Sequence, residues 1–279
     1  MVTMQMNDVI GLVGSEAGRL GNFLSGISEQ EWSRQSACEG WVIGDVAAHL
    51  SGGAGTWTNS ITRAVAGDSS PPEGQVFLAA GERGSETTAQ AARAAHQQAG
   101  LGLLEDFTTG YQRLAQFLSQ LTAEDWGKPC FHRRGPMPVR DYVSLRVQEL
   151  TVHGWDIRSG LDQAAEVSEE PLPLLVQMAP RWLRNAFQPG LDLPIPVRYR
   201  FDISGPVPVH EDVLVNGDGF QIEAASGEPA DVTFQGNTGN YILLIYGRLD
   251  VGRAIETGRL SIQGNRDRAS DFTSWFQGF

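Results

Sequence analysis

Glu149 and His153 stand four residues apart in the run from Leu145 to Arg158, LRVQELTVHGWDIR. Around them Val143, Leu145, Val147, Leu150 and Val152 recur at positions that suit a largely buried helix. Four residues is just over one helical turn, so the carboxylate and the imidazole project from one face, one above the other. Such a pair can hydrogen-bond to itself, or it can clasp a divalent cation if a third donor arrives from elsewhere. The sequence offers that donor as His49, in Asp45-Val46-Ala47-Ala48-His49-Leu50, on a second amphipathic run far upstream. A core that buries two imidazoles and a carboxylate must pair them or bind metal with them. Three ligands leave one coordination position open, the arrangement of catalytic rather than structural sites. The second histidine of an HExxH helix is absent, which argues against a zinc protease.

These side chains need helices to carry them. Val9, Ile10, Val13, Ala17, Leu20, Phe23 and Leu24 predict a first amphipathic helix ending at Gly26, followed by a short turn with Ser28 and Glu31 in capping-box positions. A loop through Cys38-Glu39-Gly40-Trp41 leads into a second helix bearing Val42, Ile43, Val46, Ala47, His49 and Leu50. The small residues Ser51 to Gly55 should let this helix fray or let a ligand approach its backbone. Gly67 to Gly84, with Pro71-Pro72, predicts a mobile surface loop. Ser85 is placed to cap a third helix, whose second half shows Leu103, Leu104, Phe107, Tyr111, Leu114, Phe117, Leu118 and Leu121 on one face. Leu121 to Trp126 then echoes Ile27 to Trp32, and Val139-Arg140-Asp141-Tyr142 echoes Ile43-Gly44-Asp45-Val46. Two helical hairpins related by this faint repeat stack into a four-helix bundle, with His49 on the second helix and Glu149 and His153 on the fourth.

Beyond Gly160 the character changes. Pro173 to Phe187 reads as a short helix, and Pro196 to Ile203 alternates strictly, as a half-buried strand does. Val213 to Val215, Phe220 to Ala224, Asp231 to Phe234 and Arg259 to Gln263 are further strands. The apolar run Tyr241 to Tyr246, a short helix near Arg253 to Glu256 and a final helix over Asp267 to Phe276 complete the set. The expectation is an α+β multidomain chain: a four-helix bundle over residues 1–162 and a smaller α/β domain over 168–279.

The length of 279 residues suits two domains. The net charge of −12 argues against a nucleic-acid partner and obliges any anionic substrate to find a local basic site. No segment has the apolar length to span a bilayer, and MVTMQMNDV lacks the basic start of a signal peptide. Two cysteines, Cys38 and Cys130, make no disulfide framework, which points to a cytoplasmic protein. Lys128 is the only lysine, the mark of a GC-rich genome. Oligomeric state is not legible.

Gly40-Trp41-Val42-Ile43-Gly44-Asp45-Val46-Ala47-Ala48-His49-Leu50 resembles the GW-x-x-x-DV-x-x-HL element of the DinB-like superfamily. Arg146-x-x-Glu149-x-x-x-His153-x-Trp155-Asp156 resembles its second metal motif. Within that superfamily the chain is similar to the mycothiol-dependent maleylpyruvate isomerase family, common in high-GC actinobacteria. The resemblance implies a DinB-like metal-binding bundle joined to a smaller α/β domain, a divalent metal (zinc) on His49, Glu149 and His153, and mycothiol as cosubstrate. Asp231 to Phe276, with Tyr246-Gly247-Arg248, Gly258-Arg259-Leu260 and Ile262-Gln263-Gly264-Asn265, resembles the sterol-carrier-protein-2 type domain. Members of this architecture carry an essential arginine, which the resemblance maps to Arg248.

The implied chemistry is coherent. A thiol of ordinary pKa is mostly protonated at neutral pH, and a metal at the open position deprotonates it. The thiolate adds to an electrophilic carbon of a small substrate. A former double bond can then rotate and expel the thiol, giving isomerisation, or the thiol can stay, giving S-transfer. Arg248 would hold a carboxylate or stabilise an enolate-like intermediate. The length of the C-terminal domain favours a bulkier substrate and hence a mycothiol S-transferase, with a maleylpyruvate-type cis-trans isomerase as the alternative. A non-catalytic lipid or small-molecule binding module is the rival from another class. Trp57, eight residues after His49, either lines the thiol pocket or packs in the core. Arg134, in His132-Arg133-Arg134, either binds substrate or belongs to a solvated basic turn. Cys38 and Cys130 have no histidine partner signalled in the sequence, and His96 and His210 read as isolated surface residues.

Overall fold

The computed structural model describes residues 4–78 and 85–278. The chain divides into two compact units, Met1–Glu166 and Val167–Phe279.

In the first unit the apolar stripes fold as their spacing requires. Helix α1 (Met6–Gly26) buries Val9, Leu12, Val13, Ala17, Leu20 and Leu24. The short α2 (Glu29–Trp32) follows, with the Glu31 carboxylate accepting from both the backbone N–H and the hydroxyl of Ser28. Later in the chain Asp125 accepts from the backbone N–H and hydroxyl of Thr122 in the same i,i+3 pattern. The echo between the two segments is therefore also an echo of geometry. Helix α3 (Ile43–Val65) packs against α4 (Ser85–Ala99), α5 (Leu103–Leu118) and α6 (Val139–Ser159), while α1 packs against α5 and α6. Helices α1, α3, α5 and α6 are the bundle, and α4 is an additional helix laid on α3.

Two expectations are corrected here. Ser51 to Gly55 does not fray; it lies inside the 23-residue α3. The small residues make room for a neighbour, since a Cβ on Gly53 would lie 2.1 Å from Nη1 of Arg146. The third helix is two helices, because Gly100 takes φ +51° at the turn Gly100–Gly102 and ends α4 before α5 begins. Asp68 to Leu78 carries neither helix nor strand; Asp68 and Ser70 bond to Arg63, Phe77 lies against Phe131, and the Leu78 N–H donates to Arg133 O. The remainder of the expected loop, 79–84, lies outside the described residues. A two-residue ladder, β1 (Pro129–Cys130) with β2 (Met137–Pro138), leads into α6.

The second unit opens with α7 (Leu172–Ala186) and builds a five-stranded sheet in the order β5-β4-β3-β6-β7. The strands are β3 (Val197–Ser204), β4 (Val209–Val215), β5 (Phe220–Ala224), β6 (Val232–Asn237) and β7 (Leu260–Gly264). Only β3 and β6 run parallel; the other pairs are antiparallel. Helices α8 (Thr238–Ile245), α9 (Val251–Glu256) and α10 (Arg266–Trp275) cover it. Tyr199, Phe201, Phe234 and Phe272 stack edge and face at the core. On the opposite face of β3, Arg198 and Arg200 both grip the fully buried Asp212 of β4. The helices and strands fall where the alternation and apolar runs placed them, to within a few residues at the ends.

Candidate metal centre

Helix α6 buries 13 of its 21 residues and carries Glu149 and His153, both only half-buried, one turn apart. Helix α3 supplies His49. Its Nε2 is 3.0 Å from Glu149 Oε2, and His153 Nε2 is 3.6 Å from the same oxygen. The two imidazoles meet edge to face with centroids 5.2 Å apart. One donor atom from each of the three lies within 4.8 Å of the others, and all three side chains are only partly buried. Nitrogen, oxygen and nitrogen donors in that span match what a tetrahedral divalent ion takes from a protein.

The electrostatics of the three donors differ. Burial pushes the His49 pKa down despite the pull of Glu149, which favours the neutral ring that a metal ligand must be. Burial pushes the Glu149 carboxyl up, but the His49 hydrogen bond and the charges of His153 and Arg146 win, and it stays ionised well below the usual range. Burial disfavours the protonated His153 ring, yet the Cys38 sulfur, the hydrogen bond to Asp156 and the Glu149 charge lift it to about 10, so a cation binding there displaces a proton from this ring.

His153 is held from behind as well. Its Nδ1 lies 2.8 Å from Oδ2 of Asp156, which is fully buried. A carboxylate on one ring nitrogen keeps the proton there and turns the other nitrogen, Nε2, toward Glu149 and His49. Cys38 is the third member of this rear group: its Sγ donates to Asp156 Oδ2 at 3.0 Å and lies 3.6 Å from His153 Nδ1. Sequence reasoning left Cys38 without a histidine partner, and the structure corrects that. The loop that carries it is tied down by Gln35 Nε2 donating to the carbonyls of Cys38 and Trp41, by Ser36, and by the Ala37 N–H on Asp156 O. Cys38, His153 and Asp156 also lie close enough to form a metal-ligand group of their own, using the opposite ring nitrogen. Cys130 is fully buried.

Trp57 stacks on Tyr142 at 3.8 Å and receives the Arg146 guanidinium at 4.8 Å, so it meets the centre through Arg146. Arg134 is exposed in the turn between β1 and β2, where its backbone N–H donates to His132 Nδ1. Arg248 belongs to the second unit, just after α8, where its Nη1 donates to Tyr246 O. His96 is not isolated: its Nδ1 is 2.9 Å from Asp45 Oδ1, and its ring lies over Gly44 at the start of α3. His210 is exposed, 3.4 Å from Asp202. Arg146 and Asp156 carried a signal, being one helical turn from Glu149 and His153 on the same helix. Cys38 carried none, because a loop contact leaves no period.

Residues 13–158 match the model of the mycothiol maleylpyruvate isomerase N-terminal domain family. The chain belongs to that family. Residues 196–277 match the SCP-2 sterol transfer family, so a helical domain precedes a smaller SCP2-like α/β region. Among solved structures, a mycothiol-dependent maleylpyruvate isomerase shares the fold at 16% identity and a TM-score of 0.64, over 89% of this chain and 93% of that one. A histidine-to-alanine mutant of a mycothiol-dependent maleylpyruvate isomerase aligns at 15% identity and a TM-score of 0.66, over 94% and 96%. No curated protein sequence matches the chain. Among the described residues no helix is long and apolar enough to cross a membrane.

Proposed function

We propose that this protein is a metal-dependent isomerase that uses mycothiol to interconvert the cis and trans forms of a small electrophilic substrate such as maleylpyruvate. The observation that carries the reading is the convergence of His49, Glu149 and His153 from two helices, in a chain of this family. A divalent cation, zinc by our reading, supplies there the Lewis acidity that makes a thiol a thiolate at neutral pH. His49 and His153 would hold it through their Nε2 atoms and Glu149 through its carboxylate, with Asp156 fixing the His153 ring. The thiolate adds across the double bond, the resulting single bond rotates, and elimination returns the thiol. Arg248 is our candidate for the group that holds the substrate carboxylate, with Trp57 and Arg134 as candidate binding residues.

The sequence alone leaned toward S-transfer because its C-terminal domain looked long for an isomerase. That reason weakens, because 89–94% of this chain aligns with isomerase structures that are themselves covered to 93–96%. Incubation of maleylpyruvate with mycothiol and enzyme, followed by mass spectrometry, separates the readings. Isomerisation gives a product of unchanged mass, S-transfer a retained thiol adduct, and a carrier neither. Elemental analysis should find one divalent ion per chain, lost in His49→Ala. A chelator-free preparation without stoichiometric metal would remove the reading altogether.

A further inference from the structure

Arg146 is the largest fully buried side chain among the described residues, 2% exposed. Its Nε and Nη2 are buried with no hydrogen-bond partner. The nearest anion is Glu149, with Oε2 3.6 Å from Nη2, beyond hydrogen-bond length. The guanidinium carbon lies 4.8 Å from the Trp57 ring centre and 5.9 Å from that of Tyr111. Nη1 fills the space that a side chain at Gly53 would occupy. The side chain is thus caged by α3 and α5 and aimed along α6 at the ligating carboxylate.

A buried guanidinium with orphaned donors is an expensive way to fill space, and an apolar side chain of similar volume would pack there at lower cost. Its consequence is electrostatic. The charge is permanent, since a guanidinium stays protonated in proteins. It cancels the charge of Glu149, so a dication held by two neutral imidazoles and this carboxylate keeps an excess that only an anionic fourth ligand can offset.

We infer that Arg146 is a specificity-determining residue of the centre: its fixed positive charge weakens the hold on the cation and reserves the open position for an anion. The inference rests on the metal reading above and adds which kind of ligand the site selects. It also accounts for Gly53 and for the two aromatic rings that close the cage.

The test uses the full chain loaded with cobalt(II), whose visible bands report ligand binding, and thiocyanate, an anion at every working pH. Arg146→Met should bind cobalt and zinc about tenfold more tightly in chelator competition and thiocyanate about tenfold more weakly. Arg146→Lys, which keeps the charge, should stay near the wild type in both. A purely structural role would lower both affinities together, and that result, or unchanged affinities in Arg146→Met, overturns the inference. Should Arg146→Met fail to fold by circular dichroism, Arg146→Gln carries the same comparison. Wild-type protein that binds cobalt but no thiocyanate overturns the inference and leaves the metal reading standing. Wild-type protein that binds no cobalt removes both.

Discussion

The imidazole of His153 is engaged at both nitrogens, Glu149 in front of Nε2 and Asp156 behind Nδ1. That division of labour makes a prediction at the residue scale. Asp156→Asn keeps the shape but can present its amide N–H to the ring, which favours the wrong tautomer. Metal affinity should fall by about 10–100-fold, the usual cost of losing a partner behind a ligating histidine. Chelator competition measures it, and an unchanged affinity would show that packing alone orients the ring. Cys38→Ser, which keeps a donor to Asp156, should change that affinity by much less than Asp156→Asn. Both residues face the ring away from the triad, and the contrast separates a charge from a neighbour.

At the scale of elements, the loop of Gln35 to Trp41 is seated against the C-terminal end of α6, and Gly160 is where they meet. A Cβ there would lie 2.6 Å from the Gln35 carbonyl oxygen and 3.2 Å from the Ser36 Cα, both backbone atoms that cannot swing aside. Gly160→Ala should therefore cost about 1–3 kcal/mol of stability, as overpacking does. It should also loosen the loop that carries Cys38. Urea unfolding measures the first effect and the reactivity of Cys38 toward a thiol reagent the second; a variant as stable as the wild type refutes the contact. Much of this level was legible in sequence. The apolar periods of α1, α5 and α6 and the alternation of β3 carried enough information to place them, and the Ser28 cap and the echo of its segment around Thr122 were recognisable from spacing. The split between α4 and α5 was not, because one glycine at positive φ can end a helix while leaving the apolar stripes on either side in phase.

For the molecule as a whole, the charge of −12 makes acid the informative perturbation. Asp212 is fully buried in the second unit. Burial raises its pKa, but the hydrogen bonds from Arg200 and Arg198 prevail and hold it below its ordinary value. Its folded pKa is thus lower than its unfolded one, near 3.9. The stabilisation is fully present above the unfolded value and is lost as pH falls through the folded value. The second unit should therefore weaken below about pH 4. Urea midpoints followed by the fluorescence of tryptophans in that unit should drop with acidification, and Asp212→Asn should be less stable at pH 7 and show a flatter acid limb. Equal pH slopes in the two proteins would remove Asp212 from the account.

The amino-acid sequence by itself determined which faces are apolar, which residues lie one turn apart and which motifs stand in which element, because periodicity and turn chemistry are local properties. It therefore contained Glu149 above His153 on one helix and His49 on another. What it could not contain was who stands behind whom. That Cys38 and Asp156 back His153, that Arg146 is sealed beneath Glu149 by Gly53, Trp57 and Tyr111, and that His96 joins Asp45 were decided only when the helices packed. A period says that a face seeks burial; only close packing chooses the partner it meets there.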